Sequence, residues 1–109
     1  MQFGVNHLGH VLLTELLLPL IMAAKTNDFR PRIVNVSSLA HYSGTINSAK
    51  LQLYTKEHQQ ERVSFFPLAT AAAYNDSKLA NVLHAKALAK KLDVFGINTY
   101  SLHPGVIRK

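Results

Sequence analysis

Tyr74 and Lys78 stand four residues apart, a spacing that on a helix puts them on one face about one turn from each other. A phenol, with an ordinary pKa of about 10, is a poor base at neutral pH, and an adjacent ammonium favours its anion. Such a pair can exchange a proton with a substrate hydroxyl or carbonyl. The same spacing also suits a plain exposed helical pair, so its meaning depends on what accompanies it. Three further signals follow a fixed order along the chain: Asn-His-Leu-Gly-His at residues 6–10, a β-branched run ending in Ser37 and Ser38, and His-Pro-Gly at 103–105. His7 and His10 are three apart but have no third ligand candidate beside them, so no metal site is expected. Packing and helix-surface roles are the preferred reading for all six histidines.

These residues need elements to hold them. Residues 2–25 carry Leu8, Val11, Leu12, Leu16, Leu18 and Ile21 at mixed three- and four-residue spacings, which predicts a helix buried on nearly all sides. Pro19 should kink or divide it. Residues 32–37, with Ile33, Val34 and Val36, read as a central strand. From 39 to 68 periodicity is lost, predicting a long surface excursion with one helical turn near 56–61. Residues 70–92 form a strong Ala- and Leu-rich helix with Lys90 and Lys91 at its C-terminal end, where the helix dipole favours positive charge. Phe95 and Gly96 close it, and 97–102 alternates as a second strand. The order helix, strand, long loop, helix, strand is a piece of an α/β fold with a parallel sheet and a right-handed crossover. Two parallel strands normally have neighbours and cover on both faces, which these residues do not supply.

At 109 residues, 48% hydrophobic and 17% charged, the chain reads as one globular unit with a modest core. It has no cysteine, which excludes disulfides, thiolate zinc sites and a cysteine nucleophile. Twelve Lys and Arg against six Asp and Glu give a net charge of +6, but the basic residues are scattered and no docking motif accompanies them. Nucleic acid is therefore not an expected partner. The apolar stretch 11–24 contains Thr14, Glu15 and Pro19 and falls short of a bilayer span, and the N-terminal residues lack a signal-peptide layout. Membrane attachment is not visible here.

The ordered signals resemble the short-chain dehydrogenase/reductase family, and more narrowly its retinol-dehydrogenase-like members. The matching pieces are residues 5–10 (Val-Asn-His-Leu-Gly-His), 32–38 (Arg-Ile-Val-Asn-Val-Ser-Ser), 74–81 (Tyr-Asn-Asp-Ser-Lys-Leu-Ala-Asn) and 101–106 (Ser-Leu-His-Pro-Gly-Val), spanning nearly the whole chain. The resemblance implies a partial Rossmann-type, doubly wound parallel sheet. It makes residues 1–109 the catalytic portion of a single domain that lacks the N-terminal dinucleotide-binding half.

Carried over residue by residue, it implies Tyr74 as general acid/base and Lys78 as the partner that lowers the tyrosine's pKa and bonds the nicotinamide ribose. Ser38 would orient the substrate carbonyl, chosen over Ser37 because Leu39-Ala40 follows it. Asn6 would hold a relay water leading from Lys78 to solvent. Pro104, Gly105 and Val106 would lie beside the nicotinamide. The implied cofactor is NAD or NADP, and the implied substrate is a small-molecule alcohol or carbonyl, a lipophilic one such as a retinoid or steroid. Hydride then passes directly between cofactor and carbon, and the protein positions both and manages one proton. An intracellular location, cytoplasmic or at the endoplasmic reticulum, goes with the resemblance.

The sequence also departs from the family. No Gly-x-x-x-Gly-x-Gly is present to place a pyrophosphate on a helix N-terminus, and no residue chooses between NAD and NADP. Lys109 stands where the family tends to have a threonine. A second reading is a catalytically inactive short product that pairs with full-length family members, or with itself as a homodimer, through helices 2–25 and 70–92, whose apolar surplus an isolated monomer would expose.

Overall fold

The computed structural model describes residues 2–57 and 67–106. The chain opens in helix, with a π-helical segment at Gly4–Leu8 leading into helix α1, Gly9–Ala23. Strand β1 is Arg32–Val36, and a 3-10 turn at Leu39–Ser43 leads to helix α2, Ser48–Glu57. Helix α3, Pro67–Leu92, ends in a 3-10 turn at Asp93–Phe95, and strand β2 is Asn98–Leu102.

The two strands pair in parallel, with Arg32 opposite Asn98 and Val36 opposite Leu102. Bonds from Asn98 N to Pro31 O (3.0 Å) and from Ser37 N to Leu102 O (2.7 Å) extend the ladder at both ends. The α/β class with parallel strands joined through a helix is thus as expected, and the strand bounds lie within one residue of the reading. Gly96 closes α3 with φ of 70°, a left-handed conformation that favours glycine at a helix end.

Because strand side chains alternate in facing, Ile33 points toward α3 while Val34 and Val36 point away. Ile33, Leu88, Leu92 and Ile97 form the buried core, and Leu18 and Ile21 of α1 pack against it. Ala80 and Ala85, both buried, present small side chains on the inward side of α3. The opposite face of the sheet leaves Val34, Val36, Tyr100 and Leu102 about half exposed.

Three expectations need correction. Helix α1 buries none of its residues, and Leu12, Leu13, Leu16, Leu17 and Leu20 are exposed, because only its Leu18–Ile21 side meets the core within these residues. Of the two outcomes expected at Pro19, a kink or a division, division does not occur, since Pro19 lies inside α1; a π-helical segment lies upstream around Asn6. The excursion after residue 39 contains a ten-residue helix, α2, started by Asn47, whose side-chain oxygen accepts from Lys50 N at 2.9 Å. The turn placed at 56–61 lies largely outside the described residues, as does Lys109. Helix α3 begins three residues earlier than expected, at Pro67, since proline in a first turn leaves no needed donor missing.

Residues 11–24 fall short of a bilayer span by themselves. The longer helical stretch Gly4–Ala23 that overlaps them is long and apolar enough by length and composition to cross a membrane, with a mean hydropathy of 1.4 and none of that window buried. Asn6 and His7 of this stretch bond Ser77 and Asn81 of α3, and Leu18 and Ile21 pack against the Ile33 core.

Ile97 is 1% exposed at the centre of this core, so Ile97→Ala should cost about 2–5 kcal/mol of stability in urea unfolding of the complete protein. A loss below about 1 kcal/mol, within the range of surface substitutions, would mean the core is centred elsewhere.

Candidate active site

Parallel pairing sets the ends of β1 and β2 side by side, at Val36 and Leu102. Ligands of open α/β sheets sit outside these carboxyl ends. Ser37 and Ser38 leave one strand there, and His103, Pro104, Gly105 and Val106 leave the other.

The two serines differ sharply. Ser37 is buried, and its hydroxyl donates to the Lys78 carbonyl at 2.8 Å while its N–H bonds Leu102, so it fastens β1, α3 and β2 together. Ser38 caps the 3-10 turn: its Oγ accepts from Ala40 N at 3.2 Å and its carbonyl accepts from His41 N and from His41 Nδ1, at 3.0 and 2.6 Å. Among the described residues the Ser38 hydroxyl hydrogen has no acceptor, which leaves a donor to offer a ligand.

Tyr74 and Lys78 share one face of α3, with Lys78 Nζ 5.4 Å from the Tyr74 ring centroid, within cation–π range. Nζ also donates to Val36 O at 3.3 Å, so one of its three hydrogens meets a described acceptor. Tyr74 is half-buried, and its hydroxyl has no described partner.

Asn6 sits in the π-helical segment, an irregularity that often marks functional positions. Its Nδ2 donates to Ser77 Oγ at 3.2 Å and to Gln2 Oε1 at 3.3 Å, and Ser77 Oγ donates to Tyr74 O at 2.6 Å. The structure therefore brings Asn6 to the residue before Lys78 but forms no hydrogen bond between Asn6 and Lys78 themselves.

Sequence reasoning gave no role to Asn81, which organises this region. It is 3% exposed, and its Nδ2 donates to Asn6 O and to Val36 O, each at 3.1 Å. Its Oδ1 accepts from His7 Nδ1 at 2.9 Å, which places a proton on that nitrogen. Asn35 Nδ2 donates to His84 Nδ1 at 3.3 Å, so His84 takes the opposite tautomer. The available signal was polar residues in the middle of a helix, where asparagine and aspartate are poor formers. Asp76, Ser77 and Asn81 are all buried.

Burial pushes the His7 pKa below its ordinary 6.5, partly opposed by the Asn81 bond and reinforced by His10. Burial likewise lowers His84, with the charges of His7 and Lys91 adding to the shift and Glu15 opposing it.

Pro104, Gly105 and Val106 lie exposed past β2, and Gly105 has φ of 92° with open space around it. A separate shallow depression of about 410 Å³, lined by residues of Ala89–Tyr100, contains none of Asn6, Ser38, Tyr74 or Lys78. Among the described residues no group of His, Asp or Glu is arranged to hold a metal.

No family model matches the chain. It is 45% identical over 108 residues to retinol dehydrogenase 13 of Homo sapiens, covering 99% of this chain and 28% of that protein. It is 46% identical over 107 residues to retinol dehydrogenase 12 of Homo sapiens, covering 98% and 29%, and 44% identical over 108 residues to retinol dehydrogenase 11 of Mus musculus, covering 98% and 29%. The chain thus spans less than a third of the length of these curated relatives. A crystal structure of an uncharacterized protein from Mycobacterium paratuberculosis superimposes with a TM-score of 0.64 at 36% identity, covering 99% of this chain and 34% of that one.

The lowered histidine pKa values set a pH dependence. The unfolded chain takes up protons near pH 6.5 that folded His7 and His84 resist. Their contribution is therefore fully present above pH 6.5 and is lost as pH falls toward the depressed folded values. Melting temperature should drop between pH 7.5 and 5.5, and His7→Gln should flatten that drop; an unchanged slope would contradict the assignment.

Proposed function

We propose that this chain, homologous along its length to the retinol dehydrogenases of the short-chain dehydrogenase/reductase family, carries the proton-handling site of an oxidoreductase that interconverts an alcohol and a carbonyl. The observation that carries the reading is the Tyr74–Lys78 pair, whose Lys78 reaches the Val36 carbonyl at the carboxyl end of β1, two residues before Ser38 with its unspent hydroxyl hydrogen. Tyr74 Oη, with no described partner, takes the proton of a substrate hydroxyl in the oxidative direction and returns it in the reductive one. The Lys78 ammonium stabilises the negative charge that develops on the phenol oxygen. Ser38 Oγ donates to the substrate oxygen and so orients the reacting carbon.

The residues present fit a nicotinamide cofactor. Lys78 has two donors left for ribose hydroxyls, Asn6 and Tyr74 lie next to it in the same network, and the open turn 104–106 has space for a flat ring at the same sheet end. When bound, NAD or NADP supplies the acceptor or donor of the hydride. Its adenosine and pyrophosphate would be held by residues outside these, since no Gly-x-x-x-Gly-x-Gly occurs here.

For the substrate we propose a lipophilic alcohol or carbonyl compound of the retinoid or steroid kind, supported by the names of the relatives and by the apolar side chains of Leu39 and Val106, both exposed at this end of the sheet. Asn81 takes the place of direct Asn6–Lys78 contact, holding the Asn6 carbonyl and the Val36 carbonyl that Lys78 also reaches.

In the complete protein Tyr74→Phe should lower kcat by about 10²-fold or more, the scale of losing a positioned acid/base, with an unchanged circular dichroism spectrum. Turnover of a retinoid alcohol at the unsubstituted rate would overturn the assignment of Tyr74.

A further inference from the structure

Asp76 lies two residues beyond Tyr74, roughly 200° around the helix from it, and is 1% exposed. A carboxylate so buried must be answered by donors, and three come from one segment. Thr45 N donates to its Oδ1 at 2.7 Å, while Tyr54 OH and Lys50 Nζ donate to its Oδ2 at 2.6 and 2.9 Å. Lys50 Nζ also bonds Thr45 Oγ1 at 2.5 Å, which ties the donors to one another. Burial opposes the charge on Asp76, but the Tyr54 and Thr45 hydrogen bonds and the Lys50 ammonium outweigh it and hold the carboxyl below its ordinary range.

The path of this segment gives the cluster its significance. It leaves the end of β1 at Ser38, two residues past the Val36 carbonyl that Lys78 reaches, and crosses α3 at Gly44. A Cβ there would stand 2.6 Å from the Asn75 carbonyl oxygen and 2.9 Å from Leu79 Cβ, so only glycine allows this approach. The segment reaches the Asp76 side at Thr45, and α2 then carries Tyr54 onto Phe3, the two rings stacked at 4.7 Å. Phe3 precedes the π-helical segment whose Asn6 bonds Ser77 on the remaining side of α3. Residues 38–54 and the first helix thus surround the part of α3 that carries Tyr74.

We propose that Asp76 is a positioning residue for the reaction at Tyr74: its carboxylate closes residues 38–54 into a collar around α3 and so holds Tyr74 in register with Ser38, at the collar's origin. This rests on the oxidoreductase reading for its consequence in turnover, and on geometry alone for the collar. Asp76 touches neither Tyr74 nor Lys78 and acts through the segment it grips. Tyr54 serves the same closure from the other side, donating its hydroxyl to Asp76 and stacking its ring on Phe3.

The test uses Asp76→Asn, Tyr54→Phe and the double variant in the complete protein, with hydrogen exchange read on peptides covering 44–54 and steady-state kinetics on a lipophilic alcohol. Each single variant should lose exchange protection in 44–54 and lower kcat by roughly tenfold or more, the scale set by small misplacements of reacting groups. The KM for cofactor should stay within about twofold, and the double variant should be little worse than the worse single, because residues of one network do not add. Should Asp76→Asn fail to fold, Tyr54→Phe carries the test, since it removes a single hydroxyl. Unchanged protection overturns the collar. Lost protection with unchanged Tyr74-dependent turnover, or losses that multiply in the double variant, overturns the positioning role. If the unsubstituted protein shows no Tyr74-dependent turnover, the oxidoreductase reading has failed, the positioning role falls with it, and the exchange result alone decides the collar.

Discussion

The carbonyl at the end of β1 is the point on which the site depends. Val36 O receives Asn81 Nδ2 at 3.1 Å and Lys78 Nζ at 3.3 Å, both from α3. One backbone oxygen thereby ties two side chains of the helix to the strand end that Ser37 and Ser38 follow. Ser37 reinforces the same joint by donating to the Lys78 carbonyl. The Asn81 and Ser37 bonds are part-buried, where leaving such a group unanswered costs about 1–3 kcal/mol, while the Lys78 bond is exposed.

From that joint the polar contacts spread to the first helix. Asn81 uses both ends of its amide, donating to Asn6 O and accepting from His7. Asn6 in turn bonds Ser77. The apolar core of Ile33, Leu88, Leu92 and Ile97 lies further along α3 and binds it to the sheet without regard to detail. Burial supplies the attraction, which is non-directional; the asparagines and serines supply the register. Asp76 extends the same logic to the opposite side of the helix, where directional bonds hold a segment that the core does not reach.

Much of this was legible in the residues. The β-branched run at 32–36 and the alternation at 98–102 marked both strands, and the four-residue spacing of Tyr74 and Lys78 put them on one helical face. The choice of Ser38 rested on the residues that follow it, and the structure adds a physical distinction, a buried Ser37 bonded to Lys78 O beside a Ser38 whose hydrogen is unspent. Other features depended on contacts between distant residues. Periodicity could not show that α1 would leave its leucines uncovered, because a run of apolar residues reports what a helix can bury and not which neighbours it has. The helix α2 has little hydrophobic patterning of its own and is held, through Lys50 and Tyr54, by Asp76, 26 and 22 residues away in the chain. Asn81 likewise looked like one more polar position until its four contacts were seen together.

The central claim is that this sheet end performs an alcohol–carbonyl interconversion with Tyr74 handling the proton. The most direct measurement is chromatographic conversion of a lipophilic alcohol by the complete protein, run with NAD, with NADP and with neither. The account predicts carbonyl product with at least one cofactor, in equal amount to the cofactor reduced, and none without. A folded protein that forms no carbonyl from a panel of such alcohols with either cofactor, and no alcohol from the corresponding aldehydes and ketones in the reverse direction, would contradict it.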